Sequence, residues 1–182
     1  LMGTAEVAAT NILINLVLVA ILPAVGLGLA ALTLVGEALG RDDPDEASRW
    51  AWDVVKVTAL ILGLLGLPAL LIPDQIVMGF TRDQAVIDMA RNSMRLMGVA
   101  IAIDGVGLVL LHALLGAGAV RQVMAVAVGT QWLLGLPLAW LAGPYFGLGL
   151  FAVWATQSAY RILQAVIFVV LWRRRGWTGI KL

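Results

Sequence analysis

The chain has 182 residues, of which 62% are hydrophobic and 13% are charged, and its mean hydropathy is +0.98. Soluble domains carry roughly 45–50% apolar and about 25% charged residues, so this composition excludes a water-soluble domain. The net charge is +1, with Lys and Arg dispersed between apolar runs, and there is no cysteine. A nucleic-acid-binding surface, disulfides and cysteine-ligated metals are therefore excluded.

Five apolar segments are each long enough to cross a bilayer as a helix, which takes about 20 residues. The predicted spans cover residues 7–35, 54–73, 91–115, 123–142 and 148–172. No soluble linker separates them, so the sequence predicts an all-α polytopic membrane protein with a single transmembrane unit over residues 1–182. The first residues lack the basic segment of a signal peptide, and we expect the chain to be incomplete at its N-terminus.

The first span carries two polar residues on one face, because Asn11 and Asn15 are four positions apart. They either line a polar translocation cavity or hydrogen-bond to a neighbouring helix. The acidic segment that follows the span has Pro44 at a favoured first helical position with acids beside it. A second helix is therefore predicted to begin near Pro44 and to end between Pro68 and Pro73.

The third helix is predicted to begin near Gln84, and Asp104 lies deep in its apolar part. An ionised carboxylate at the centre of a membrane helix costs at least ~2.5 kcal/mol. Asp104 is therefore either a binding site for a transported proton or sodium ion, or a protonated or paired residue that joins helices. His112 lies eight positions later and about 80° around the helix. It is predicted to be a hydrogen-bonded packing residue, with a proton-relay role as the alternative.

The fourth span is predicted to end at Gly143-Pro144, and the fifth is stopped by Arg173-Arg174-Arg175. Arg161 is the charged residue inside the fifth span, with Gln157 and Gln164 on its face. It either pairs with Asp104 or binds an anionic group, or else it snorkels to the interface or forms a structural ion pair.

The basic residues of the connections and helix ends predict the orientation. Seven of these residues are predicted on one side of the membrane and three on the other. The first set is Arg41, Arg49, Arg121, Arg173, Arg174, Arg175 and Lys181, and the second is Arg82, Arg91 and Arg95. Because cytoplasmic loops are enriched in Lys and Arg, the end at Arg173-Arg174-Arg175 is predicted to be cytoplasmic in a plasma (inner) membrane protein.

Three segments carry a family resemblance. Residues 23–40, PAVGLGLAALTLVGEALG, resemble the second helix of a lobe in the multidrug and toxic compound extrusion (MATE) family, with Glu37 at the Gln of its VGQ-x-LG ending. Phe80-Thr81-Arg82-Asp83 is similar to the family's FT-x-D loop. Leu115-Gly116-Ala117-Gly118 resembles its RGAGDT motif, with Leu115 at the position of the Arg.

The resemblance implies twelve helices in two six-helix lobes that work by alternating access. The five spans would be helices eight to twelve, which form most of one six-helix lobe, and the amino-terminal lobe of the parent chain would be missing. In NorM-type members an Asp lies twelve residues before the Gly of the RG motif, and Asp104 lies twelve before Gly116. The resemblance thus assigns Asp104 to the coupling cation, and makes it a metal ligand if that cation is sodium.

The predicted function is secondary active efflux of organic cations or drugs in exchange for protons or sodium, not enzymatic catalysis. The partners are the lipid bilayer, the cationic substrate and the missing lobe, and no cofactor is expected beyond the coupling ion. The residues predicted for the substrate cavity are Asn11, Asn15, His112 and Arg161. The alternatives are a lipid-linked saccharide flippase of the same superfamily, an intramembrane enzyme built on Asp104 and His112, and a purely structural membrane subunit.

Overall fold

The computed structural model describes residues 4–141 and 149–179, which are helical apart from short turns. Within these residues, seven α-helices, one π-helical segment and one 3₁₀ turn follow one another. They are α1 (Thr4–Gly40), α2 (Pro44–Leu71), α3 (Pro73–Met78), α4 (Gln84–Gly116), α5 (Val120–Thr130), the π segment (Gln131–Gly135), α6 (Leu136–Trp140), α7 (Gly149–Arg173) and the 3₁₀ turn (Gly176–Gly179).

In the part of the chain that the structure describes, five helical stretches are long and apolar enough to cross a membrane, as the sequence predicts. Four belong to α1, α2, α4 and α7, and the fifth runs through α5, the π segment and α6 over Val120–Trp140. Many of their large apolar side chains are exposed, including Leu22, Leu71 and Leu133. Such surfaces suit lipid or further membrane helices, and the chain is a multi-pass membrane protein.

Local sequence sets where the helices begin. The carboxylate of Asp43 accepts a hydrogen bond of 2.8 Å from the backbone N–H of Glu46, and Pro44 occupies the first turn of α2. Asp83 caps α4 in the same way by accepting from the backbone N–H of Ala85 at 2.9 Å. Both helices begin where the sequence predicts, because side-chain caps and an initial proline are local signals.

Helices α1, α2 and α4 are longer than the predicted apolar spans, and α2 and α4 carry polar first turns that extend beyond the apolar part. One boundary differs in kind: the second predicted span runs to residue 73, but α2 ends at Leu71 and Pro73 opens a separate helix, α3. Proline lacks a backbone N–H and is favoured at a helix start. The predicted break at Gly143-Pro144, the ends of the spans at 142 and 148, and Lys181 lie outside the described residues.

Helix α4 lies at the centre of the bundle and packs against α1, α2 and α7. Glycines bring the backbones close together at two crossings. A Cβ at Gly66 of α2 would clash with the carbonyl oxygen of Gly98, and one at Gly116 of α4 would clash with that of Leu32. Small residues permit this kind of close helix packing in membranes.

The two ends of the bundle are each joined by charged or aromatic contacts. At one end Arg175 donates to Asp45 at 2.7 Å, and the guanidinium of Arg173 lies 5.6 Å from the centre of the Trp52 ring. At the other end Arg91 donates to Asp74 at 2.7 Å. The end of α7 and the start of α2 therefore lie on the same side, as the alternation of five spans requires.

Candidate functional site

A cavity of about 470 Å³ lies between α1, α4 and α7, with one residue of α2 in its wall. Most of its lining is apolar, and the polar side chains are few and come mainly from α4 and α7. These polar residues are Thr10, Asp104, Gln157, Ser158 and Arg161. A largely apolar cavity with a small number of convergent polar groups is the usual form of a small-molecule site.

Asp104 and Arg161 face each other across this cavity. Arg161 Nη1 donates to Asp104 Oδ2 at 3.3 Å, which joins α4 to α7 across 57 positions of sequence. The side chains retain 26% and 39% exposure for Asp104 and Arg161 respectively. Of the alternatives left open by the sequence, the structure shows pairing of Arg161 with Asp104.

The ion pair lies near the middle of the membrane-spanning helices. Arg161 is twelve residues from each end of α7, which at 1.5 Å per residue places it about 18 Å from either helix end. An arginine side chain is too short to cover that distance, so snorkelling to the interface does not account for Arg161. Transporter substrate and coupling-ion sites characteristically lie at this depth.

A second polar cluster joins α7 to the π segment and the end of α5. Tyr160 donates to Gln131 Oε1 at 2.8 Å and accepts from Gln157 Nε2 at 3.3 Å. Gln164 donates to the hydroxyl of Thr130 at 2.8 Å. Because Gln157 also lines the cavity, the cluster is continuous with the wall that carries Arg161.

Sequence reasoning noted Gln157 and Gln164 but missed Gln131, Thr130 and Tyr160. Gln131 is the first residue of the π segment, where the extra residue per turn shifts the face that each side chain presents. π-helical turns in α-helices are often found at functional sites. The signal in the sequence was a polar pair, Thr130-Gln131, inside an apolar span.

His112 does not line the cavity. Its Nδ1 lies 2.8 Å from the carbonyl oxygen of Leu108, and since a carbonyl only accepts, Nδ1 carries the proton in that bond. The ring packs against Gly28 of α1, with Nδ1 2.6 Å from where a Cβ would lie. This placement favours the packing role of His112 and puts its ring outside the cavity that Asp104 lines.

Asn11 and Asn15 lie on an exposed side of α1, away from the cavity that holds Asp104. Asn15 donates to the backbone carbonyl of Asn11 at 2.9 Å. Within the described part of the chain, neither side chain forms a hydrogen bond to a neighbouring helix. Their predicted role in lining a translocation pathway therefore concerns a surface outside this bundle and stays a prediction.

The arrangement has a definite chemical capacity. A carboxylate in a poorly hydrated cavity binds a proton, a metal cation or an organic cation, and the guanidinium beside it binds anions or the carboxylate itself. A sodium ion at Asp104 would take further oxygens, and Gln157 and Ser158 supply side-chain oxygens to the same cavity. Asp104 is the one carboxylate among the described residues that line this cavity, so a cation site there would be built around it.

The fold defines a helical bundle of a polytopic membrane protein, and comparison with known proteins identifies the family. The MatE family model matches residues 1–141. The chain therefore belongs to the MatE family, which confirms the resemblance seen in the sequence.

Individual relatives and solved structures agree with this family assignment. The chain is 26% identical over 177 residues to a probable multidrug resistance protein NorM of Brucella suis, covering 94% of this chain and 38% of the relative. It is 25% identical over 173 residues to Protein DETOXIFICATION 30 of Arabidopsis thaliana, covering 94% and 34%. A MOP superfamily transporter from Pyrococcus furiosus superposes with a TM-score of 0.84 at 18% identity, covering 95% and 39%. That structural likeness shows the fold, and the chain spans well under half the length of each protein.

Proposed function

We propose that the chain forms most of one lobe of a secondary active efflux transporter, which exports organic cations or drugs in exchange for protons or sodium. The observation that carries the proposal is the Asp104 carboxylate in a largely apolar cavity at the middle of the bundle. Membership in the MatE family and likeness to a multidrug resistance protein support it. The transporter would lie in the plasma membrane with Arg173-Arg174-Arg175 cytoplasmic, and a second lobe would complete the pathway.

Exchange follows from competition at one carboxylate. A proton or sodium ion and a cationic substrate each neutralise Asp104, so binding of one weakens binding of the other. If the two bound states favour opposite orientations of the transporter, the ion gradient drives the substrate outward. The protein then supplies the cavity and a single negative charge, and the surrounding apolar wall accepts the hydrophobic part of the substrate.

A lipid-linked saccharide flippase is the second candidate, and Arg161 is the observation that favours it. Arg161 lines the same cavity and its guanidinium suits a phosphate group. The structurally similar Pyrococcus furiosus transporter is described as having a binding pocket of reversed polarity that suggests a different function. An anionic headgroup would then replace Asp104 as the partner of the Arg161 guanidinium.

The test is efflux of a cationic dye from proteoliposomes that contain the native full-length protein, under separate proton and sodium gradients. We expect one gradient to drive efflux in the wild type and Asp104→Asn to abolish the coupled part. Asp88→Asn is the matched control, because Asp88 lies on the same helix with an exposed side chain paired to Arg91. Coupled efflux that survives in Asp104→Asn would refute the role of Asp104, and transport of anionic lipid without dye efflux would favour the flippase.

A further inference from the structure

The cavity contains one charge of each sign. Among the described residues that line it, Asp104 from α4 and Arg161 from α7 are the charged ones. The neighbouring helices add the hydroxyl of Thr10 from α1 and the apolar side chain of Leu62 from α2. The cavity is therefore electrically neutral when both groups are ionised, and no other charge in the lining competes for either of them.

We propose that Arg161 is an internal counter-cation that occupies Asp104 when no transported cation is bound, and that every transported cation has to displace it. This inference rests on the proposed function, since it assumes that Asp104 is the cation site. The inference adds a means of regulation. The affinity of Asp104 for a transported cation is set by competition between that cation and the guanidinium of Arg161.

The geometry of the pair suits an exchangeable contact. A strong Arg–carboxylate pair has two parallel hydrogen bonds of about 2.7–2.9 Å. Here one nitrogen and one oxygen are joined at 3.3 Å, and both side chains retain access to the cavity. An incoming cation can therefore reach the carboxylate without a rearrangement of the backbone.

The displaced guanidinium has acceptors close to its own position. Gln157 and Ser158 belong to the same helix as Arg161 and line the same cavity, and amide and hydroxyl oxygens accept hydrogen bonds from guanidinium. Arg161 can thus leave Asp104 and remain inside the cavity. Loading a cation then changes the cavity from neutral to a charge of about +1, which opposes entry of a second cation.

The test is equilibrium binding of tetraphenylphosphonium, a lipophilic cation, to the purified native full-length protein. We expect Arg161→Gln to bind the probe at least about fivefold more tightly than wild type, the lower end of typical coupling between two ligands. The double variant Asp104→Asn/Arg161→Gln should lose this gain, because the gain acts through the freed carboxylate. Arg95→Gln makes the same chemical change on an exposed residue of α4 and should leave the affinity unchanged.

The outcomes separate this inference from the proposed function. If Asp104→Asn weakens binding but Arg161→Gln leaves it equal or weaker, competition is refuted while the cation site stands. If Asp104→Asn has no effect on binding in either background, the cation site itself is refuted. Where Arg161→Gln does not fold, Arg161→Lys carries the test: its shorter ammonium should release Asp104 in part and tighten binding, and unchanged affinity would overturn the inference.

Discussion

At the scale of single residues, the contact between His112 and Gly28 shows how tightly α1 packs on α4. A Cβ at Gly28 would lie 2.6 Å from His112 Nδ1 and 3.0 Å from its Cγ. The ring cannot easily turn away, because Nδ1 donates to the carbonyl of Leu108. We expect Gly28→Ala to lower the free energy of unfolding by about 1–3 kcal/mol, the usual cost of overpacking, measured by thermal unfolding of the native protein in detergent.

Gly26 provides the matched control on the same helix, since a Cβ there would meet nothing within 4 Å. Alanine is favoured over glycine in helices by about 1 kcal/mol, so Gly26→Ala should not destabilise the protein. Combining Gly28→Ala with His112→Ala should recover part of the loss. Equal destabilisation by both glycine substitutions would show that the His112 contact is not the cause.

The polar residues of the site were predictable from the sequence to different degrees. Asp104 and Arg161 could be identified from the sequence, because a charged residue inside an apolar helix costs free energy to insert into a membrane and is usually functional. Pairing of Arg161 with Asp104 was only one of four interpretations, because the pairing depends on how α4 and α7 cross. Gln131 was missed, because its contact with Tyr160 depends on a π turn that hydrophobic periodicity does not reveal.

At the scale of helices, the crossing of α2 and α4 depends on two glycines. A Cβ on Gly66 would clash with the carbonyl of Gly98, and one on Gly98 would lie 2.8 Å from the carbonyl of Gly66. We expect Gly66→Ala to force the helices apart and to lower the unfolding temperature, because backbone atoms cannot move aside as a side chain can. Gly63→Ala, where nothing lies within 4 Å, should have little effect, and similar losses in both would argue against the close crossing.

The contact between α7 and the π segment can be tested through its central hydroxyl. Tyr160→Phe removes the hydrogen bond to Gln131 and the one from Gln157 while it keeps the ring. Interhelical hydrogen bonds in membrane proteins contribute about 0.6 kcal/mol on average and up to about 1.7, and we expect a loss in that range on chemical unfolding. Thr156→Val is the control, because the hydroxyl of Thr156 donates to backbone carbonyls of its own helix. No loss in Tyr160→Phe beyond that of Thr156→Val would contradict the contact.

The helices themselves were largely predictable, because the length of each apolar segment and the capping residues at its start depend only on neighbouring residues in the sequence. The beginnings of α2 and α4 follow from Asp43-Pro44 and Asp83. The interruption of the fourth span between α5 and α6 was not predicted, although Gly135 ends the π segment and Pro137, which has no backbone N–H to donate, follows it. Such a break is maintained by tertiary contacts, here the polar cluster with α7.

At the scale of the whole molecule, the orientation in the membrane is a prediction that labelling can test. The absence of cysteine from the chain permits single-cysteine variants, once any cysteines elsewhere in the full-length protein are replaced. We expect Arg82→Cys, in the turn before α4, to react with an impermeant maleimide in intact cells. Thr178→Cys, in the 3₁₀ turn after α7, should react only after permeabilisation, because the basic end is predicted to be cytoplasmic. The reverse pattern would invert the topology.

Asp104 at the centre of the bundle should couple two fluxes, and coupling is reciprocal for binding free energies. The most direct measurement is therefore reverse exchange in proteoliposomes that contain the native full-length protein. A gradient of an organic cation is imposed without any ion gradient, and the counter-movement of protons or sodium is recorded. We expect wild type to move one of these ions against the organic cation and Asp104→Asn to move neither, with Asp88→Asn like wild type. Ion counter-movement in Asp104→Asn equal to that of wild type would contradict Asp104 as the coupling site.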